Sequence, residues 1–222
     1  HLVVEVPTGI ELETAAAVML QGMTAHFLVT DCCPLQRGER CLIHAAAGGV
    51  GLLLVQMAKL AGGEVFATVG SPDKAELARA AGADHVILYN DVEFGEAIEA
   101  VAGKRPLRVV YDGVGRSVFE RSLELLGRRA TMVTFGNASG PVEPILPLRL
   151  SQGGSLYLTR PTLADYIATR EELERRSGDL FRWIGEASLS VRIGARVPLA
   201  QAADAHRMLE SRTTAGKVLL IP

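Results

Sequence analysis

From Arg40 to Arg160, short apolar runs alternate with stretches of helical periodicity. The runs Cys41–Ile43, 64–69, 85–89, 107–112, 130–135 and 155–159 predict six strands, each bounded by Gly, Pro, Asn, Asp or Ser. They are apolar at nearly every position rather than at alternate ones, the pattern of strands covered on both faces. The intervening segments 50–61, 74–81, 91–102 and 117–126 predict helices. Gly62-Gly63 and Gly82 end two of them, and Ser71-Pro72 supplies a cap and first residue for another. Strands alternating with helices give an α/β fold with a doubly wound six-stranded parallel sheet.

The ends of the chain read differently. Residues 1–7 form a short extended piece without an evident partner, followed by a helix that breaks at Gly22 and resumes over 24–29. After Pro161, residues 165–176 form a charged helix and 181–184 part of another. A helix over 200–210, a turn at 213–216 and a last strand over 217–221 close the chain.

The first candidate chemistry lies at the end of the first strand. His44-Ala45-Ala46-Ala47-Gly48-Gly49-Val50-Gly51 holds the spacing Ala46-x-Gly48-x-x-Gly51, the dinucleotide-binding pattern with Ala for the first Gly. A small first residue permits the tight turn, Gly48 lets backbone N–H groups reach a pyrophosphate, and Gly51 lets the helix close on the strand. Anionic phosphates would sit at the positive end of the helix dipole. An ordinary strand-to-helix connection has similar residues; the unit from Cys41 to Val69, at about 30 residues, favours the nucleotide. Small or polar residues also end the other strands, at Gly70-Ser71, Tyr89-Asn90, 112–115 and 135–139, where a ligand crosses such a sheet.

An acidic residue normally ends the second strand and binds the ribose 2′-hydroxyl. Here Gly70-Ser71 stands there, with Lys74 one helical turn on, which favours a 2′-phosphate and therefore NADPH. Asp73 lies just inside the same helix and suits its dipole, and Lys74 also reads as an ordinary solvated helix residue.

Composition narrows the classes. The chain has 222 residues, 48% hydrophobic and 22% charged, with net charge −2 and a pI near 6.3, which argues against a nucleic-acid partner. No uninterrupted apolar run of about 18 residues suggests a membrane span, and Glu5 and Glu11 interrupt any leader. Cys32, Cys33 and Cys41 read as reduced thiols of a cytoplasmic protein, and the five scattered histidines suggest no metal.

Several segments together carry a resemblance: 20–26 (LQGMTAH), 44–51 (HAAAGGVG), 109–115 (VVYDGVG), 135–140 (FGNASG), 154–161 (GSLYLTRP) and 209–217 (LESRTTAGK). The chain resembles the zinc-free NADPH:quinone oxidoreductases, the zeta-crystallin-like branch of the medium-chain dehydrogenase/reductase superfamily. Members of that family are about half as long again, with an N-terminal GroES-like catalytic domain of which little is present here. The resemblance implies residues 1–21 as the tail end of the catalytic domain, 22–163 as the NADP-binding Rossmann domain, and 164–222 as a segment packing on the catalytic domain.

It also implies roles. Thr24 would stand beside the nicotinamide, with Gly48, Gly49, Val50 and Gly51 on the pyrophosphate. Ser71 and Lys74 would hold the 2′-phosphate, with Gly70 also in the cofactor site at the strand end, Tyr89 near the adenosine end and Gly115 close to the ribose side. Phe135, Gly136 and Ser139 would line the nicotinamide ribose, and Arg160, Arg212 and Lys217 the outer cleft. Tyr89 and Phe135 also read as packing at sheet ends, and Arg212 and Lys217 as surface residues. The implied reaction is NADPH-dependent reduction of a quinone or other small electrophilic acceptor. No catalytic residue stands out, since a quinone oxygen takes its proton from water. An enone or alkenal reductase would use the same cofactor site, and a non-catalytic NADPH-binding module is the alternative of another class. A methyltransferase on a similar sheet is disfavoured by the missing acidic residue. The sixth strand, an exposed edge, points to a homodimer paired edge to edge.

Overall fold

Runs that are apolar at every position need cover on both faces, and the fold supplies it. The computed structural model describes residues 2–211 and 214–222. Strands β1 (Arg40–Ile43), β2 (Glu64–Val69), β3 (His85–Leu88), β4 (Leu107–Asp112), β5 (Leu126–Thr134) and β6 (Tyr157–Thr159) form one parallel sheet, ordered 3-2-1-4-5-6. Side chains on a strand alternate between faces. Leu42, Phe66, Val110 and Met132, in register across four strands, therefore enter one core, while Ile43, Ala67, Tyr111 and Val133 enter the other.

Helices α1 (Leu12–Phe27), α2 (Gly49–Leu60), α3 (Pro72–Ala80) and α8 (Arg170–Gly185) cover the face that carries Ile43. Helices α4 (Phe94–Ala102) and α5 (Phe119–Leu125) cover the opposite face. Short helices α6 (Pro147–Gln152) and α7 (Leu163–Tyr166) flank β6, and α9 (Ala202–Glu210) lies between β7 (Ile193–Pro198) and β8 (Lys217–Ile221). The doubly wound six-stranded sheet expected from the sequence is present.

Four local expectations are corrected. Residues 2–7 form no strand; Val4 and Val6 instead pack on the helical core, while Val3 stays exposed. Helix α1 does not break at Gly22. A Cβ there would lie 2.7 Å from Val18 Cγ2 and 3.0 Å from Leu180 Cδ1, so the glycine admits α8 rather than ending α1. The two helices expected beyond residue 165 are one helix, α8, started by a capping box in which Thr169 and Glu172 exchange side-chain and backbone hydrogen bonds. Strand β7, unexpected, pairs in parallel with β8 as a separate two-stranded sheet.

Helix α1 continues through a π-helical turn, Leu28–Cys32. The 21-residue stretch Leu12–Cys32 is long and apolar enough to cross a membrane, but it is a core helix here, packed against α2 and α8. Arg176 of α8, 1% exposed, fixes that packing. It donates to the Tyr166 carbonyl at 2.7 Å and pairs with Asp31, and its Nη1 lies 3.1 Å from His26 Nδ1. A guanidinium donates only, so His26 Nδ1 accepts and its Nε2–H is left to donate to Asp179 at 3.1 Å.

Candidate nucleotide site at the carboxyl ends of the strands

Strands β1 and β4 are neighbours, yet β1 leads to α2 on one face and β4 to α5 on the other. Between their carboxyl ends the connections diverge, which leaves a crevice at the topological switch point. The glycine turn forms one wall. His44 N–H donates to Tyr111 O at 3.2 Å and Ala46 N–H to Thr68 O at 3.1 Å, so the turn is tied to β4 and β2. Ala45 takes a left-handed conformation, φ +51°, to make the reversal. Gly48 caps α2, and a Cβ on Gly51 would lie 2.4 Å from Ala45 O. The close approach of helix to turn therefore requires glycine at 51. The first turn of α2 holds no acidic residue, so nothing there repels an anion.

Gly49 faces an unexpected neighbour. Its missing Cβ would lie 2.2 Å from both amide heteroatoms of Gln21, which reaches across from α1. Thr24 stands one helical turn further along α1, its hydroxyl donating to Leu20 O at 2.8 Å. On the outside of the turn, Gly216 donates to Ala47 O at 3.2 Å and bridges Gly48, which sets Lys217 beside the turn. Arg212 lies outside the described residues.

At the end of β2, Ser71 caps α3, its Oγ accepting from Lys74 N–H at 3.4 Å. The Tyr89 hydroxyl lies over Gly70, 2.5 Å from where a Cβ would be, and Asn90 donates to Gly70 O at 2.8 Å. Tyr89 thus joins Gly70, Ser71 and the start of α3 at one corner.

At the end of β4, Asp112 Oδ1 accepts from the N–H groups of Val114 at 2.7 Å and Gly115 at 2.9 Å. Its other oxygen, Oδ2, is buried without a partner among the described residues, and burial raises the carboxyl's pKa. Gly115, φ +88°, approaches Gly140 O so closely that a Cβ would lie 2.5 Å from it. Ser139 Oγ donates to Val114 O at 2.9 Å and accepts from Ser117 N–H at 3.0 Å. Phe135 packs on Gly113, and Gly136 approaches Gly113 O. Loops 112–117 and 135–140 are therefore interlocked into a second wall. Arg160 extends it, its Nη1 donating to Thr134 O at 2.9 Å and Gly136 O at 3.1 Å.

Beneath the turn lies His44, 2% exposed. Ser122 Oγ donates to Val118 O at 2.7 Å, so it accepts from His44 Nε2–H at 2.8 Å. His44 Nδ1 then accepts from the Thr68 hydroxyl at 2.8 Å. The imidazole is neutral, and burial lowers its pKa to about 3. Sequence reasoning passed over Gln21, His44 and Asp112. Gln21 and His44 acquire their contacts through neighbours distant in sequence, Gly49 for the one and Thr68 and Ser122 for the other, whereas Asp112 binds the N–H groups of its own turn.

The family model described as zinc-binding dehydrogenase matches residues 49–177. Quinone oxidoreductase 1 of Escherichia coli K12 is 45% identical over 218 residues, 97% of this chain and 67% of that protein. The chain belongs to the quinone oxidoreductase family. It is thus a member of the medium-chain dehydrogenase/reductase superfamily and spans about two thirds of its relatives' length. The structure of Escherichia coli quinone oxidoreductase complexed with NADPH superposes with a TM-score of 0.95, at 45% identity, over 99% of this chain and 68% of that one. A 2-haloacrylate reductase from a Burkholderia species is 36% identical over 99% of this chain and 67% of its own length. Zinc binding belongs to the description of the family model. Among the described residues no three His, Cys, Asp or Glu side chains group as metal ligands.

Proposed function

We propose that the chain binds NADPH across the switch point and positions it to reduce a quinone or another small electrophilic acceptor. One observation carries the reading: the α2 N-terminus opens onto the crevice through a turn whose close backbone contacts require glycine at 51, with no acidic side chain in the helix's first turn. Residues 22–163 supply the nucleotide-binding unit. Gly48 to Gly51 receive the pyrophosphate, and Ser71 and Lys74 the 2′-phosphate, with Gly70 and Tyr89 beside the adenosine. Gly115, Phe135, Gly136 and Ser139 follow the second wall toward the nicotinamide ribose, and Thr24 lies by the nicotinamide. Arg160 and Lys217 border the outer cleft. The bound cofactor supplies the hydride; the chain holds and orients it. The likeness to 2-haloacrylate reductase supports a second reading, reduction of an activated carbon–carbon double bond at the same site. Steady-state turnover with a panel of quinones and enones separates the two, and no turnover with either supports a non-catalytic NADPH-binding module.

Titration with NADPH and NADH, followed by nucleotide fluorescence, tests the cofactor. Trp183 stacks on His26 within the α1–α8 contact, so its emission is the poorer reporter. The expected result is clear preference for NADPH. Lys74→Ala should weaken NADPH about tenfold, the size of one charge-assisted hydrogen bond, and leave NADH unchanged. Equal affinity for the two nucleotides would overturn the 2′-phosphate assignment.

We further propose a cytoplasmic homodimer. Strand β6 is a sheet edge, and Tyr157 on it is 61% exposed, with Leu146 and Leu148 bare nearby. Pairing two such edges covers these residues. Sedimentation velocity at micromolar concentration should give a dimer, and Tyr157→Lys a monomer. A monomeric parent protein would overturn the pairing.

A further inference from the structure

We infer that Gln21 is a cofactor-binding residue, donating a hydrogen bond from its side-chain amide to the pyrophosphate of the bound dinucleotide. The inference rests on the NADPH reading above and adds a contact from α1 to the glycine turn. Gln21 lies half-buried on a largely apolar face of α1, among the buried Ala17, Val18 and Ala25 and the half-buried Thr24. A glutamine within such a face needs a reason, because a half-buried amide without partners is costly. Here the amide lies against Gly49, the first residue of α2, and forms no hydrogen bond to any described residue. Its two N–H donors thus stand at the same helix end as the free N–H groups of α2, where an anion is favoured.

The geometry makes stability and binding respond in opposite directions. Gln21→Glu keeps shape and volume but sets a carboxylate at the α2 N-terminus. A carboxylate there favours the helix, so the fold should be as stable as the parent or more so. The same carboxylate repels a pyrophosphate, so affinity for NADPH and for ADP-ribose should fall roughly tenfold or more. Gln21→Met, which removes the donors at similar volume, should weaken both ligands by about fivefold. 2′-AMP, which lacks the pyrophosphate, should bind all three proteins equally.

The experiment is a set of titrations by calorimetry on parent, Gln21→Glu and Gln21→Met proteins, with urea midpoints measured in parallel. Loss of NADPH and ADP-ribose affinity with 2′-AMP binding and midpoint retained is the expected result. A parent protein that binds none of the three ligands would remove the NADPH reading and this inference with it. A parent that binds while both variants match it, or variants that lose 2′-AMP equally, would overturn the role of Gln21 alone.

Discussion

Gly51→Ala is expected to destabilise the protein by about 3 kcal/mol or more and to remove most of its nucleotide affinity. The added methyl would lie 2.4 Å from Ala45 O, 2.7 Å from Ala46 O and 2.8 Å from Ala46 C. These are backbone atoms and cannot swing aside as the tip of a long side chain can. The turn itself has little slack, because Ala45 is already left-handed and Ala46 is bonded to the end of β2. Helix α2 must therefore lift from β1, or the turn must open. Overpacking costs about 1–3 kcal/mol where side chains adjust, and more where backbone has to move. Against a total of about 5–15 kcal/mol for a typical domain, that loss is severe. Either displacement also moves the N–H groups of Gly49 and Val50, so affinity falls for NADPH and NADH alike. Gly178 provides the contrast. It lies within α8, with nothing within 4 Å of a Cβ, so Gly178→Ala should stabilise by roughly 0.5–1 kcal/mol through helix propensity alone. Urea midpoints and NADPH titrations of the two variants check the pair. A Gly51→Ala protein with parental midpoint and affinity would show that the turn is not held as described.

The same turn explains what could be read from the sequence. Close approach of helix to strand excludes side chains at fixed spacings, and an excluded side chain is visible as a small residue. Gly70, Ser71 and Tyr89 stand out for a related reason: they follow directly on the carboxyl ends of neighbouring strands, where a parallel sheet places its ligand. Gly22 shows the limit. A glycine in a helix signals either a break or close packing, and only Leu180, far away in sequence, decides between them. Strand β7 was missed because Ile193-Gly194-Ala195-Arg196-Val197-Pro198 mixes exposed and half-buried positions and has only β8 as its partner. Charges along α8 hid its continuity; Leu173, Arg176, Ser177, Leu180 and Phe181 form its buried side, and one of those charges, Arg176, is itself buried. Gln21 lies within the segment 20–26 that carries the resemblance, but nothing in that segment marks a contact to the glycine turn. Its meaning arises where α1 crosses the start of α2, a contact that no local pattern encodes.

His44 opens the glycine-turn segment without any signal of its role, and it carries a large expected effect on acidification. In the folded protein its pKa is lowered to about 3 by burial, while in the unfolded chain it lies near its ordinary value of about 6.5. Between those values the unfolded chain binds a proton that the folded protein refuses. Stability from this group is therefore complete above pH about 6.5 and is lost as pH falls toward about 3. The separation corresponds to about 5 kcal/mol at most. His26, also lowered chiefly by burial, acts in the same direction. Asp112 acts in the opposite one, since its raised pKa means that the folded state takes up its proton first on acidification. Carboxylates held low by ion pairs, Glu64 by Arg40 and Asp84 by Lys59 among them, add their losses only near and below their ordinary range of about 4. From pH 6.5 to 4.5 the histidines therefore dominate, and urea midpoints should fall steadily across that interval. In the folded protein the His44 ring resonances should not shift between pH 8 and 4.5, because its Nδ1 is an acceptor for Thr68 and its Nε2–H a donor to Ser122. Ser122→Ala leaves that N–H buried and unpaired and should cost about 1–3 kcal/mol at neutral pH. A His44 ring that titrates near pH 6.5 in the folded state would overturn the assignment, because protonation turns Nδ1 from an acceptor into a donor toward Thr68 and places a charge in a buried site.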